Sequence, residues 1–175
     1  MRILILAAGD DPQWHGDCPK QLVKIAGEPL LLHTLRSFEG HDVTVVTHKP
    51  EIKALVPDCF EPENRATLWE TVLSTRPLWE GRVAVLTGDT FYTEERLEEI
   101  FDPGETPVLL DCYGFVFDEK DYDDVLEAIR RVREFDREHM ERLKHFIRKV
   151  PIKGVVDFDI VPYYEKFLEE NPWAR

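Results

Sequence analysis

Three short runs of this chain hold residues able to handle a phosphate or a cation. The first is Leu6-Ala7-Ala8-Gly9, at the end of an apolar stretch. Small side chains there let backbone N–H groups approach a ligand closely, and Gly9 would permit a dihedral closed to other residues. Pro19-Lys20 follows, a lysine held by a rigid turn near the same edge. An ammonium beside exposed N–H groups is an arrangement that binds phosphate. The packing alternative is that Ala7, Ala8 and Gly9 only allow close contact, with Lys20 on a solvated loop. Neither G-x-G-x-x-G after a strand nor G-x-x-x-x-G-K-[ST] is present.

The second run, Val85-Leu86-Thr87-Gly88-Asp89-Thr90, places an acid after a glycine at the tip of an apolar segment. Asp89 there is either a cap for the helix that follows or a ligand for a hard cation such as Mg²⁺. The third, Asp157-Phe158-Asp159, sets two carboxylates two residues apart, hence on one face of a strand. Like charges so placed repel unless a cation or a base sits between them.

These residues need a scaffold whose strand ends converge. Apolar runs at 2–8, 42–47 and 82–87 read as strands, the first continuous enough for a parallel strand buried on both faces. Shorter strands are expected at 107–111, 113–117 and 153–159. Helical spacing covers 30–38, 51–56, 67–78, 93–101 (with Thr93 as cap) and 161–170. A long helical region is expected over 121–149, broken near Asp136, with Val125, Ile129, Val132, Leu143 and Ile147 as its apolar stripe. The expected fold is α/β: an open, mostly parallel, mixed sheet with helices on both faces, formed by residues 1–175 as one domain. In such sheets ligands bind outside the carboxyl ends of the strands, where all three runs fall.

Composition narrows the partners. The 175 residues include 35 Asp and Glu against 22 Lys and Arg, a net charge of -13. That excess repels phosphate backbones and anionic lipid, which speaks against nucleic acid and membrane surfaces but leaves room for a phosphorylated small molecule at a locally positive site. No apolar run approaches the roughly 20 residues of a membrane span. The apolar start of the chain stops at Gly9-Asp10-Asp11, too soon for a signal peptide. Cys18, Cys59 and Cys112 lie far apart with no zinc spacing, which fits reduced thiols and a cytoplasmic protein. Residues 120–153 carry ten basic and eight acidic side chains, read as an exposed helix face with pairs such as Glu127–Arg131 and Glu138–Arg142. Its apolar stripe either covers the sheet or closes a homodimer, the former being the more economical use. His33, His41, His139 and His145 show no metal-ligand spacing and read as surface or core-edge residues. Tyr113 and Phe115 lie near a strand that would line an acceptor pocket, although strand aromatics are mostly packing.

Taken in order, L-A-A-G, P-K-Q-L-V-K-I-A-G-E-P-L-L, V-L-T-G-D-T-F-Y and V-V-D-F-D-I-V-P-Y-Y-E-K-F resemble the nucleotidyltransferase family with a glycosyltransferase-A-like fold. That family includes sugar-1-phosphate nucleotidyltransferases, phosphocholine cytidylyltransferases and the molybdenum-cofactor guanylyltransferase. The resemblance implies transfer of a nucleoside monophosphate from an NTP to a phosphorylated small-molecule acceptor, with release of pyrophosphate. It implies that Leu6, Ala7, Ala8, Gly9 and Gly88 cradle the nucleotide, that Lys20 neutralises charge on the α-phosphate, and that Thr67 lies near the base or ribose. Asp89 and Asp159, with Asp157 as a further ligand, would hold Mg²⁺. In-line displacement at phosphorus needs positioning and cationic charge more than a covalent nucleophile, so Lys20, Asp89 and Asp159 make a sufficient catalytic set. The usual loop reads L-A-A-G-x-G-x-R, whereas Leu6-Ala7-Ala8-Gly9 continues as Asp10-Asp11-Pro12-Gln13-Trp14-His15, without the second glycine or the arginine. His15 is the nearest cationic substitute within that loop, and a partial one. Two other classes stay open: a nucleotide-sugar glycosyltransferase, which has less use for Lys20, and a nucleotide-binding domain without turnover.

Overall fold

The computed structural model describes residues 1–9, 14–110, 113–135, 139–146, 148–150, 156–157 and 161–175. In chain order the elements are β1 (Arg2–Leu6), β2 (Lys24–Ile25), β3 (Glu28–Pro29), α1 (Leu30–Ser37), β4 (Asp42–Val46), α2 (Pro50–Leu55), β5 (Cys59–Phe60) and α3 (Leu68–Ser74). These are followed by β6 (Val83–Thr87), β7 (Thr90–Phe91), α4 (Glu94–Phe101), β8 (Val108–Leu110), β9 (Gly114–Phe117), α5 (Tyr122–Phe135), β10 (Arg148–Val150), β11 (Val156–Asp157) and α6 (Val161–Glu170). The main sheet runs β10-β8-β9-β6-β1-β4-β5. Strand β9 alone is antiparallel to its neighbours β6 and β8. The sheet is therefore mixed and mostly parallel, as the strand–helix alternation predicts.

Each central strand feeds two cores. Leu4, Leu6, Val83, Val85, Phe115 and Phe117 point to one face, where α3 and α5 bring Trp69, Val72, Val125, Ile129 and Val132. Ile3, Ile5, Ala84, Leu86 and Val116 point to the other, against Leu31 and Phe38 near α1, Ile52 of α2 and Ile100 of α4. The two-residue period of a strand with helices on both sides explains why residues 3–6 of β1 and 83–86 of β6 are apolar without a break. The α5 stripe thus covers the sheet.

A third cluster joins Val23, Ile25 and Leu30 to Phe167 of α6 and Ala174, with Trp14, Cys18, Phe91 and Tyr164 packed against it. The β2–β3 hairpin in this cluster turns through Ala26 (φ 51°) and Gly27 (φ 80°). Left-handed alanine is costly, and here the Ala26 N–H donates to Ala174 O at 2.6 Å. Tyr164 Oη donates to Lys24 O, so the C-terminal segment clamps the stretch that follows Lys20.

Several sequence expectations are corrected. The helix expected to Lys149 ends at Phe135; a 3-10 turn at Met140–His145 buries Met140 and Leu143, and Arg148–Val150 is a strand parallel to β8. Sheet pairing has overridden the helical spacing there. Pro77 stops α3 early, leaving a 3-10 turn at Arg76–Leu78. Thr93 precedes α4 but makes no side-chain capping bond. Of the strand expected at 153–159 the described part is β11, which pairs antiparallel with β7 outside the main sheet. Ile147, Glu138 and Cys112 lie outside the described residues, while Glu127 and Arg131 do pair, at 2.8 Å.

At the edge opposite the parallel strands' carboxyl ends, Asp118 accepts from Arg82 Nε at 2.7 Å and Nη2 at 3.1 Å, and from Thr106 Oγ1 at 2.8 Å. The Arg82 hydrogen bond holds the Asp118 carboxyl below its ordinary value of 3.8. A lowered carboxylate stabilises the fold fully above the ordinary value and loses that contribution as pH falls through the lowered one. Asp118→Ala is expected to cost about 1–2 kcal/mol at neutral pH. Urea unfolding should show the gap to wild type closing as the pH is taken below 3.8.

Candidate active site

The carboxyl ends of β6, β1, β4 and β5 lie side by side on one edge of the sheet. At the end of β1 the chain stays closely packed: Ala7 is buried and its N–H donates to Val46 O at 2.9 Å. Leu6 O accepts from the Gly88 N–H at 2.9 Å. The first half of the Leu6-Ala7-Ala8-Gly9 run is therefore spent on the sheet. The N–H groups of Ala8 and Gly9 donate no hydrogen bond among the described residues, which narrows the backbone cradle to these two. Gly9 is not in the left-handed region, and a Cβ there would meet open space, so its contribution is an accessible backbone rather than an unusual dihedral. Gly88 is different. A Cβ at that position would lie 2.8 Å from Leu6 O and 3.1 Å from Ile5 Cγ2, so glycine lets the end of β6 approach β1.

Asp89 occupies the turn between β6 and β7. Thr87 Oγ1 and Thr90 Oγ1 are 2.6 Å apart, and Tyr92 Oη donates to Thr87 O at 3.0 Å and to Tyr113 O at 3.2 Å. Tyr92 is buried, so the turn carrying Asp89 is braced from the core. Asp89 is ion-paired with Lys20, and both side chains are nearly buried, 13% and 12% exposed. Lys20 comes from a 3-10 turn, Lys20–Leu22, entered through Pro19. The structure thus brings Lys20, Asp89 and the Ala8–Gly9 backbone to one place.

The register of β11 sets Asp157 opposite Thr90, the neighbour of Asp89. Asp159, Asp10 and Asp11 lie outside the described residues. Among the described residues no group of three or more His, Cys, Asp or Glu is gathered to hold a metal. The Asp89 carboxylate is a donor of the type a hard, oxygen-preferring divalent cation takes.

An open cavity of about 310 Å³ lies beside the pair, lined by Gly9, Trp14, Asp17, Cys18, Lys20 and Lys49 among others. Trp14 Nε1 donates to Cys18 O at 2.6 Å, closing the 14–18 loop over the third hydrophobic cluster. Burial first, and then Asp17, pushes the Cys18 thiol above its ordinary value, which favours the uncharged thiol in the cavity wall. Thr67 caps α3, its Oγ1 accepting from Glu70 N at 3.2 Å. It belongs to the segment that leaves the end of β5, on the same edge as Gly9 and Asp89. A larger groove of about 460 Å³ lies at the far edge, where Glu127 and Arg131 of α5 face Thr106 and Phe146. It offers an ion pair already formed rather than converging phosphate-binding groups.

Sequence reasoning missed Lys49, Tyr92, Thr47 and Trp14. The available signal for Lys49 was its place just after a β-branched strand, Thr47-His48-Lys49-Pro50, at the same edge as the other strand ends. His33, read as a surface or core-edge residue, has Glu28 at 3.4 Å, and its Nε2 donates to Ile25 O at 2.8 Å, a structural role on the hairpin. Phe115 is core, and the Tyr113 carbonyl serves the Asp89 turn.

No family model matches the chain. It is 32% identical to the bifunctional protein GlmU of Paracoccus denitrificans in a match covering 74% of its length, and 34% identical to GlmU of Streptococcus sanguinis in a match covering 57% of its length. The chain spans 36% and 24% of those two relatives. Among solved structures, the CTP:phosphocholine cytidylyltransferase LicC from Streptococcus pneumoniae superposes with a TM-score of 0.66 at 13% identity, covering 97% of this chain and 98% of that one. At that identity the likeness is one of fold, and the fold is shared over the whole chain.

Proposed function

We propose, from the premise that this chain resembles the nucleotidyltransferases in motif, in sequence and in fold, that it transfers a nucleoside monophosphate from an NTP to a phosphorylated small-molecule acceptor and releases pyrophosphate. The observation that carries this reading is the Lys20–Asp89 ion pair, formed from distant parts of the chain beside the open Ala8–Gly9 backbone. An acceptor phosphate oxygen forms a bond to the α-phosphorus, and the bond from that phosphorus to the bridging oxygen of pyrophosphate breaks. The acceptor is already ionised, so no proton need be removed to create the nucleophile, and no serine–histidine pair is required.

In this scheme the Ala8 and Gly9 N–H groups, at the ends supplied by Leu6 and Ala7, meet phosphate oxygens, while Gly88 keeps the β1 and β6 ends close. Lys20 offsets the charge that gathers on the α-phosphate. Asp89 holds Lys20 in place and, with Asp159 and Asp157, would bind Mg²⁺, which when present adds charge compensation along the phosphates. Thr67 lies on the segment suited by position to the base or ribose. The whole of residues 1–175 acts as one domain. The partners are an NTP and a sugar phosphate or phospho-alcohol; the net charge of -13 argues against nucleic acid, and no helix among the described residues is long and apolar enough to cross a membrane. Reduced thiols and the need for NTP favour the cytoplasm.

The test is pyrophosphate release with ATP, CTP, GTP and UTP, each offered with Mg²⁺ and pooled sugar phosphates and phospho-alcohols. Acceptor-dependent release with one NTP is the expected result. No release together with no thermal stabilisation by any of the four nucleotides would overturn the reading.

A further inference from the structure

We propose that Lys49 is a second cationic contact for the phosphate chain of the nucleotide, gripping it on the side of the cradle opposite Lys20. The inference rests on the nucleotidyltransfer reading above and adds a residue to it. The strand order β6-β1-β4 sets the geometry: Asp89, with Lys20, lies at the end of β6, the Gly9 backbone at the end of β1, and Lys49 just beyond the end of β4. The two lysines therefore flank the accessible backbone from either side, and both line the same cavity. Lys49 Nζ donates to the Gly9 carbonyl, which places the ammonium at the cradle.

The placement is built rather than incidental. Thr47 is fully buried, and its hydroxyl donates to Ala7 O at 3.0 Å while accepting from the Lys49 N–H at 3.1 Å. One side chain thus ties the backbone of Lys49 to the end of β1. Pro50 then opens α2 and fixes the chain's exit. His15, the candidate cation within the first loop, is exposed and does not line the cavity; Lys49 does. A polyanion spanning the cradle is met more strongly by two ammonium groups than by one. A triphosphate offers several phosphate groups along the cavity that both lysines line, whereas a monophosphate offers one. Lys49 accordingly selects for the length of the phosphate chain.

Calorimetric binding of inorganic tripolyphosphate, which needs no knowledge of the base, tests this with wild type, Lys49→Ala, Lys49→Arg and Lys20→Ala. Each of the four NTPs and its monophosphate are run alongside. Lys49→Ala is expected to weaken tripolyphosphate, and the NTP that binds wild type, about tenfold, as for loss of one charged hydrogen bond. The monophosphate should shift less than twofold, and Lys49→Arg should recover most of the loss. Unchanged tripolyphosphate binding in Lys49→Ala, with Lys20→Ala weakened, would overturn the role of Lys49 and leave the functional reading standing. Equal weakening of monophosphate and NTP would overturn it too, because that is the signature of a loosened loop. Wild type binding neither tripolyphosphate nor any NTP would overturn both.

Discussion

Lys20→Ala is expected to slow pyrophosphate release by about 10²- to 10³-fold, with most of the loss in kcat. The side chain is nearly buried, its ammonium is held by Asp89, and it stands beside the Ala8–Gly9 backbone that, among the described residues, the sheet leaves open. A fixed cation in a poorly hydrated site costs little reorganisation as charge gathers on the α-phosphate, and a water molecule filling the space of the lost side chain cannot match it. Lys20→Arg should recover only part of the rate, since a planar fork does not replace a compact ammonium at a side chain this nearly buried. Steady-state kinetics with the active NTP checks the claim. A rate within threefold of wild type would remove Lys20 from the chemistry.

Asp89→Asn is expected to cut the rate by a similar order, about 10²-fold or more, for a different reason. The substitution keeps the shape of the turn, which Thr87, Thr90 and Tyr92 brace independently, and removes only the charge. Lys20 then loses its partner, and the carboxylate proposed for Mg²⁺ is gone. Two readouts separate these effects. The dependence of rate on Mg²⁺ concentration should move to higher concentration in Asp89→Asn and stay in place in Lys20→Ala. The double variant should lose far less than the product of the two single losses, because directly paired residues act as a unit. Strictly multiplicative losses would mean that the ion pair has no part in the working site.

The apolar character of 2–8, 42–47 and 82–87 dictates three strands, the first buried on both sides, and the structure pairs them as neighbours, β6-β1-β4. The long helix was overextended because Arg148-Lys149-Val150 carries no alternation of its own; only pairing with β8 makes it a strand. The Ala26–Gly27 turn was equally silent, since alanine is a poor turn signal and its strained dihedral is compensated by a bond from Ala174 at the far end of the chain.

The chemistry-bearing residues were legible as residue types. Lys20 after Pro19 and Asp89 after Gly88 stand out because a rigid turn and a glycine are local features, written in adjacent residues. Their meeting was legible only through resemblance, since nothing in the local sequence relates the 3-10 turn of Lys20 to the end of β6. The withdrawal of Leu6 and Ala7 from the cradle, the close approach that requires Gly88, and the arrival of Lys49 beside Gly9 were decided by the tertiary structure alone. Hydrophobic period and turn chemistry act between near neighbours and so can be read along the chain. Which strand lies beside which, and therefore which loops share an edge, depends on burying the whole of both faces at once.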